Sequence, residues 1–307
     1  MTAADDVRTV AVIGAGAIGA SWTALLLKHG RDVVVADPDQ AAHERLRQQV
    51  TAFLARSDDS AEAFTTVTTA AEAARRADLV LEAGPERLEF KQQVIEEIDE
   101  AARPDVVIAS SSSGLTPTSF QGAAKRHPER VLVAHPFNPP HIVPLVEVVG
   151  GEQTSEQAIE QAMAFFKALG RQPIRLHQEL PGHVANRLQA ALWREAYHLV
   201  DQGVVTVEDL DTAIASGPGL RWALTGPLLT QHLSGGGQGL RHVLHHLGPS
   251  QVAWWATLGE PDLDDDLIET LAKGVDDELH GADETDVLHR RDQALHELIE
   301  TKRRLGL

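Results

Sequence analysis

The sequence predicts an α/β chain in two parts, with a doubly wound, mostly parallel sheet over residues 1–180 and an all-α domain over residues 181–307. Three observations carry this prediction. Short β-branched runs alternate with amphipathic helical stretches through the first half, the pattern of βαβ units. From Pro181 onward the strand patterns stop and only helical periodicity remains. The pair Pro181-Gly182 punctuates the change and places the boundary within Gln178–Gly182.

In chain order, the first half predicts strands at Thr9–Ile13, Val33–Asp37, Phe64–Val67, Leu79–Ala83, Val106–Ser110, Val131–His135, Pro144–Val149 and Gln172–Arg175. Helices are expected at Ala17–His29, Ala41–Ala55, Ala70–Ala77, Leu88–Ala102 and Ser155–Leu169, with Gly30 standing where a helix C-cap glycine is wanted. The second half predicts helices at Val184–Gln202, Val207–Ser216, Pro227–Gly248, Leu263–Asp277 and Glu284–Arg304. The glycines of Ser234-Gly-Gly-Gly-Gln-Gly239 lie far from any strand, which favours a bend over a phosphate loop.

Composition narrows the function. A length of 307 residues, 43% of them hydrophobic, suffices for two ordinary domains. No apolar run approaches the ~18 residues a membrane span needs. The acidic start Met1-Thr-Ala-Ala-Asp-Asp6 predicts no secretory signal. The absence of cysteine excludes disulfides, thiolate catalysis and cysteine-ligated metals, and fits a cytoplasmic enzyme. A net charge of −18 makes nucleic acid and anionic membrane poor partners, and reads as a solvated acidic surface.

Gly14-Ala-Gly16-Ala17-Ile18-Gly19 is G-x-G-x-x-G directly after a strand and at the start of a helix, with Asp37 at the end of the next strand. In that context it predicts a Rossmann-like dinucleotide site. Gly14 makes the tight turn, Gly16 lets backbone approach the pyrophosphate, and Gly19 lets helix and strand pack closely. The helix N-terminus, at Ala17 and Ile18, faces the anion. Asp37 is expected to accept hydrogen bonds from ribose hydroxyls and to repel a 2′-phosphate, and no arginine follows within Pro38–Ala42, so NAD is expected over NADP. FAD is a further option that suits the rest of the site less well.

Ligands in open α/β sheets bind beyond the carboxyl ends of the strands. Three polar segments start there: Glu82-Ala-Gly-Pro-Glu86-Arg-Leu-Glu-Phe-Lys91, the run Ser110–Ser113, and His135, which is followed twelve residues on by Glu147 inside an apolar run. A histidine held by a buried carboxylate is a base for a hydroxyl proton. The alternative for Glu147 is an edge-strand carboxylate facing water.

These motifs carry a family resemblance over nearly the whole chain. The glycine turn, E-x-x-x-E-x-x-x-x-K, the serine run, His135-Pro-Phe-Asn138-Pro139 with Glu147, and Pro181-Gly-His-Val-Ala-Asn186-Arg resemble the 3-hydroxyacyl-CoA dehydrogenase superfamily. Within it the chain is similar to the branch containing lambda-crystallin/L-gulonate 3-dehydrogenase and L-carnitine dehydrogenase, notably in Gly217-Pro-Gly-Leu-Arg-Trp222 and Glu195-Ala-Tyr-His-Leu-Val200. The resemblance implies NAD(H)-dependent interconversion of a 3-hydroxy acid and its 3-keto acid. It implies His135 as general base in oxidation and general acid in reduction, with Glu147 on the far ring nitrogen. Ser113 and Asn186 would bind the substrate oxygen, Glu86, Lys91 and Ser113 would lie at the nicotinamide ribose, and Asn138 would shape the turn beneath the histidine. It also implies a homodimer through the helical domain.

Other readings stay open. Asn186 would equally cap a helix. Arg221, beside Trp222, would either bind a substrate carboxylate bidentately or cap the preceding helix. Trp254 and Trp255 would line a pocket or pack at a dimer interface. His242, His245 and His246 have helical spacing without an acidic or cysteine partner, so they read as an exposed face and no metal site is expected. Relatives acting on acyl-CoA carry a longer, basic insertion between the positions of Asp37 and Glu82. Here the segment is short and acidic at Ser57-Asp-Asp-Ser-Ala-Glu62, which favours a free acid over a thioester. The substrate options are a polyhydroxy acid such as L-gulonate, carnitine with an aromatic box for its quaternary ammonium, or a larger β-keto acid such as a polyketide intermediate reduced stereospecifically. A crystallin-like dinucleotide-binding protein is the non-enzymatic alternative, and the intact Ser113, His135, Glu147 and Asn186 argue against it.

Overall fold

A computed structural model describes residues 7–54 and 64–307. The chain divides into two compact units that meet in sequence at Arg187 and Leu188. The first unit contains an eight-stranded sheet: β1 (Thr9–Ile13), β2 (Asp32–Ala36), β3 (Phe64–Val67), β4 (Leu79–Glu82), β5 (Val107–Ser110), β6 (Val131–Pro136), β7 (Leu145–Gly150) and β8 (Gln172–Arg175). Their order is β3-β2-β1-β4-β5-β6-β7-β8, and the β6–β7 pair alone is antiparallel among the seven pairings. This is the mostly parallel doubly wound sheet that the alternating pattern predicts.

Strand side chains alternate between two cores. In β1, Val10 and Val12 join one buried cluster with Leu25, Leu26, Phe165 and Phe166. Ala11 and Ile13 join the other, with Val80, Ile95, Ile98 and Ile108. A sheet buried on both faces reads as continuous apolar runs, and every residue of β4 and β5 is buried. The faces are covered by α1 (Ala17–Lys28), α2 (Gln40–Leu54), α3 (Ala70–Ala74), α4 (Leu88–Ala101), α5 (Pro117–Gln121) and α6 (Glu156–Ala168). The five-residue α5 was not expected, because one turn is too short to show helical periodicity.

Register brings the functional ends of the strands level. Ile13 pairs with Ala36 on one side and Glu82 on the other, and Glu82 pairs with Ser110. Strand order runs outward in both directions from β1 and β4, so this row of carboxyl ends borders the crevice where such sheets take ligands.

From Ala185 onward the chain is helical: α7 (Ala185–Asp201), α8 (Val207–Ala215), α9 (Pro218–Leu233), α10 (Gly239–Trp255), α11 (Asp265–Leu279) and α12 (Glu284–Leu305). The single helix expected over Pro227–Gly248 is two helices. Gly236 and Gly237, between the two, have φ of 56° and 87°, left-handed values that interrupt a right-handed helix. The first of the two starts earlier than expected, at Pro218, with proline in the first turn after Gly217, and it kinks at Gly226. No helix of the described residues is long and apolar enough to cross a membrane.

Candidate active site

The glycine turn has the geometry its spacing predicts. Gly14 has φ 107°, and a Cβ there would lie 2.7 Å from the Ala83 carbonyl oxygen. A Cβ on Gly19 would lie 1.9 Å from the Gly14 carbonyl oxygen, so the close crossing of α1 and β1 requires glycine. At Gly16, the first position before α1, a Cβ would meet nothing within 4 Å. Gly16 and Ala17 are exposed, Ile18 is half-buried, and no side chain caps this helix end. Its first-turn N–H groups are therefore available to an anion.

Asp37 follows β2 directly. Its carboxylate accepts N–H from Ala15 at 2.9 Å and from Asp39 at 2.9 Å, which ties it to the glycine turn while it stays partly exposed. Beside it a cavity of about 310 Å³ is lined by Ala36, Pro38, Thr69, Phe90 and Val94 among others. A slot with flat apolar walls next to a carboxylate and an uncapped helix N-terminus fits the base, ribose and pyrophosphate of a dinucleotide.

Across the crevice lies a network of carboxylates. Glu82 is wholly buried, and both its oxygens accept from Lys91 Nζ, at 2.9 and 2.8 Å. Ser110 Oγ donates to Glu82 at 2.6 Å, and the Gly84 N–H does so at 2.7 Å. Glu86 accepts from Ser112 Oγ at 2.6 Å and from the N–H groups of Gly114 and Leu115 at 2.9 and 3.1 Å. Burial raises the Glu86 carboxyl, but these donors and the nearby Lys91 outweigh it and hold the carboxyl below its ordinary value. Lys91, expected at the ribose, is 1% exposed, and its ammonium meets Glu82 and, at 3.9 Å, Glu86. A lysine in the first turn of α4 points toward the sheet because its partner, Glu82, ends the adjacent strand.

His135 and Glu147 are directly opposed in the antiparallel β6–β7 pair, so their side chains emerge on one face. His135 Nδ1 donates to Glu147 Oε2 at 2.9 Å. Glu147 is wholly buried, and its other oxygen accepts from the N–H groups of Val184 and Ala185 at 2.9 and 3.0 Å. Burial raises its carboxyl, yet the His135 bond and the two backbone donors prevail and hold it below the ordinary carboxylate value. An ionised Glu147 fixes the proton on Nδ1 and leaves Nε2 of His135 as the basic nitrogen. Glu147 is thus no edge-strand carboxylate facing water, because β8 pairs on the far side of β7.

The serine run sorts by position. Ser110 and Ser112 are buried and bound to carboxylates, Ser111 accepts from Trp22 Nε1 at 3.2 Å, and Ser113 is exposed. Asn186 Nδ2 donates to the Ser113 carbonyl at 3.1 Å, which brings Asn186 to the serine loop. Asn138 is exposed on the loop after β6, where the Asn138–Pro139 peptide is cis. Arg221 and Trp222 are exposed on α9 in the second unit, and His242, His245 and His246 are exposed on α10. Among the described residues no group of three or more histidines and carboxylates is placed to hold a metal ion. The acidic segment Ser57–Glu62 lies outside the described residues.

Two residues at the site lie inside the quoted motifs but are assigned no role there. Glu82 anchors Lys91 and Ser110, and the signal was its place at the end of a fully apolar strand. His183 is wholly buried with its ring centroid 5.2 Å from that of His135, and the signal was a histidine directly after Pro181-Gly182.

Known proteins resemble this chain in sequence and fold. The family model described as 3-hydroxyacyl-CoA dehydrogenase, NAD binding domain, matches residues 9–180, and that described as 3-hydroxyacyl-CoA dehydrogenase, C-terminal domain, matches residues 182–273. The chain is 43% identical over 313 residues to L-carnitine dehydrogenase of Streptomyces coelicolor, covering 100% of this chain and 98% of that one. It is 41% identical over 311 residues to a 3-hydroxyacyl-CoA dehydrogenase of Gibberella moniliformis, covering 98% and 97%. Among solved structures it is similar to 5-formyl-3-hydroxy-2-methylpyridine 4-carboxylic acid 5-dehydrogenase, an NAD+ dependent dismutase, with a TM-score of 0.83, 27% identity and coverage of 97% and 99%. The chain belongs to the 3-hydroxyacyl-CoA dehydrogenase family and is an NAD-dependent oxidoreductase.

Proposed function

We propose that the protein interconverts a free 3-hydroxy acid and its 3-keto acid, with residues 1–180 as the cofactor domain and 181–307 as the substrate and dimerisation domain. The observation that carries this reading is the buried His135–Glu147 pair, 2.9 Å apart, beside a glycine turn shaped for a dinucleotide. Bound NAD would supply the hydride acceptor for the hydroxyl-bearing carbon. His135 Nε2 takes the hydroxyl proton as the carbonyl forms, and returns it in the reverse direction. Glu147 holds the ring through Nδ1 and stabilises the imidazolium, while its own charge is kept by the Val184 and Ala185 N–H groups. The Ser113 hydroxyl and the free N–H of the Asn186 amide would orient the substrate oxygen. The Gly14–Gly19 turn and Asp37 would hold pyrophosphate and ribose. Glu86 would meet the nicotinamide ribose, with Lys91 beneath it.

The free-acid preference rests on the short acidic segment at Ser57–Glu62, and on relatives named L-carnitine dehydrogenase, since carnitine is itself a free 3-hydroxy acid. Arg221 and Trp222 are the side chains proposed for the carboxylate and for the far end of the substrate. The test is initial-rate NADH formation with L-carnitine, other free 3-hydroxy acids and 3-hydroxyacyl-CoA, together with NADH consumption on larger β-keto acids. Turnover confined to the thioester would overturn the free-acid reading. No turnover with any member despite tight NADH binding would overturn the proposed chemistry.

A homodimer through the helical unit is part of this proposal. That unit exposes Trp254 and Trp255 at 63% and 65% and Leu228 at 66%, large apolar side chains of the kind enriched at interfaces. Light scattering should give twice the chain mass, and serine at both tryptophans should shift the population toward monomer. A monomeric wild type would remove this part alone.

A further inference from the structure

The turn at residues 182–186 joins the two halves of the reacting machinery, and His183 is its centre. His183 has φ 53°, a left-handed value, and is wholly buried. Its Nε2 lies 3.1 Å from the Ser112 carbonyl oxygen, which can only accept, so the proton sits on Nε2. On the same loop Asn186 donates to the Ser113 carbonyl, and the Gly182 N–H reaches the Gly114 carbonyl at 3.4 Å. The next two N–H groups, of Val184 and Ala185, hold Glu147. The His183 ring packs against His135 from one side while Phe137 meets it edge-on at 5.4 Å.

We propose that His183 is a positioning residue of the hydroxyl-oxidising reaction, whose Nε2–H clamps the serine loop while its ring fixes the His135 imidazole, so that substrate oxygen and base share one frame. The inference rests on the proposed His135 chemistry and extends it to a residue that the chemistry itself does not use.

Two imidazoles 5.2 Å apart would ordinarily compete for the substrate proton. His183 does not compete. Its Nδ1 is buried without a partner, so a proton there would have no acceptor. Burial pushes its imidazole below the ordinary value, and a charged His135 pushes it further. The Ser112 carbonyl, Glu147 and Glu86 pull the other way without prevailing. The proton taken from substrate therefore stays on His135, where Glu147 balances it.

The experiment separates clamp from filler. His183→Phe keeps a flat ring against His135 and loses the donor. His183→Gln places an amide N–H where Nε2 was and loses the ring. His183→Asn carries the same amide one methylene short of Ser112. All three enter the left-handed conformation that His183 already occupies, and asparagine tolerates it best. His183→Phe should lower kcat about tenfold or more, as misplacement of reacting groups does. KM and the NADH dissociation constant should stay within about threefold, and the melting temperature should be near that of wild type. His183→Gln should recover most of kcat and His183→Asn should not.

Wild-type kcat in His183→Phe overturns the proposal. Equal losses in all three variants that track their loss of stability also overturn it, because they would mark packing alone. If His183→Phe does not fold, the Gln/Asn contrast decides, and equal rates in those two variants overturn the proposal. His135→Gln is measured beside them. A dead His135→Gln with unaffected His183 variants removes the positioning role and leaves the proposed reaction standing. A wild type inactive on every hydroxy acid tested removes both.

Discussion

The two ends of the crevice are built by different means. The glycine turn is local in sequence: Gly14, Gly16 and Gly19 lie within six residues, and beyond them the turn touches the ends of the two neighbouring strands, at Ala36–Asp37 and Ala83–Gly84. The proposed base is assembled from afar. His135, Glu147, Ser112 and His183 come from β6, β7, the loop after β5 and the turn before α7, and each holds another. Damage at the first end should therefore remain where it is made, whereas damage at the second should spread along the hydrogen bonds that link its parts.

The sharpest way to break that contrast is His135→Gln. It should lower turnover by roughly 10²–10⁴-fold, the usual worth of a positioned acid–base group, with NADH affinity within a few-fold of wild type. Equal loss of both, read by stopped-flow rates and fluorescence titration, would make the residue structural. Gly19→Ala is the mirror image. Its Cβ would meet the Gly14 carbonyl oxygen at 1.9 Å, so the turn must open, and NADH binding should fall by more than tenfold. Unchanged NADH affinity would show that the turn does not hold the pyrophosphate.

Glu147→Gln should lower kcat by about 10²-fold, because the imidazolium loses its balancing charge. It should also alter the pH–rate profile, and an unaltered profile would separate Glu147 from the base. Asp37→Ser with a neighbouring arginine, Pro38→Arg, should narrow the preference for NAD over NADP by about tenfold, since one charge-assisted hydrogen bond is worth ~1.5–3 kcal/mol. An unchanged preference would place the ribose elsewhere.

The smallest effect is on stability against acid. Glu147, Glu86 and Asp78 are held below their ordinary values in the folded protein. Their contributions are complete above the ordinary glutamate value of 4.5 and are lost as pH falls through the lower folded values. His183 is also depressed, and it is neutral when buried. The unfolded chain thus takes up its proton first, and stability should begin to decline just below 6.5, the ordinary imidazole value. Denaturant midpoints across pH should show this early decline in wild type and lack it in His183→Phe. Its persistence in the variant would assign it to another histidine.

The sequence made most of the first unit legible. All eight strands lie within two residues of where alternation and β-branching put them, because strands buried on two faces leave continuous apolar runs between breaks. The family resemblance drawn from the glycine turn, the serine run and the His135 motif is borne out by family models that span residues 9–180 and 182–273. The helical half was harder to read. The bend expected at Ser234–Gly239 sits inside the helix expected over Pro227–Gly248, and the structure resolves that conflict in favour of the bend, with two helices over Pro218–Trp255.

What the sequence determined by itself was whatever rests on near neighbours: the glycine turn, Asp37 one strand later, and two kinds of segment in two halves of the chain. These follow from backbone sterics and side-chain period, which act over a few residues. Tertiary structure alone decided that Lys91 is buried on Glu82, that His183 clamps Ser112, and that Glu147 takes its remaining hydrogen bonds from Val184 and Ala185. Those partners lie between 9 and 71 residues apart. Which buried polar group finds which partner is settled only when strand order and register bring them together, since a charge or donor left unpaired in the interior is too costly to keep.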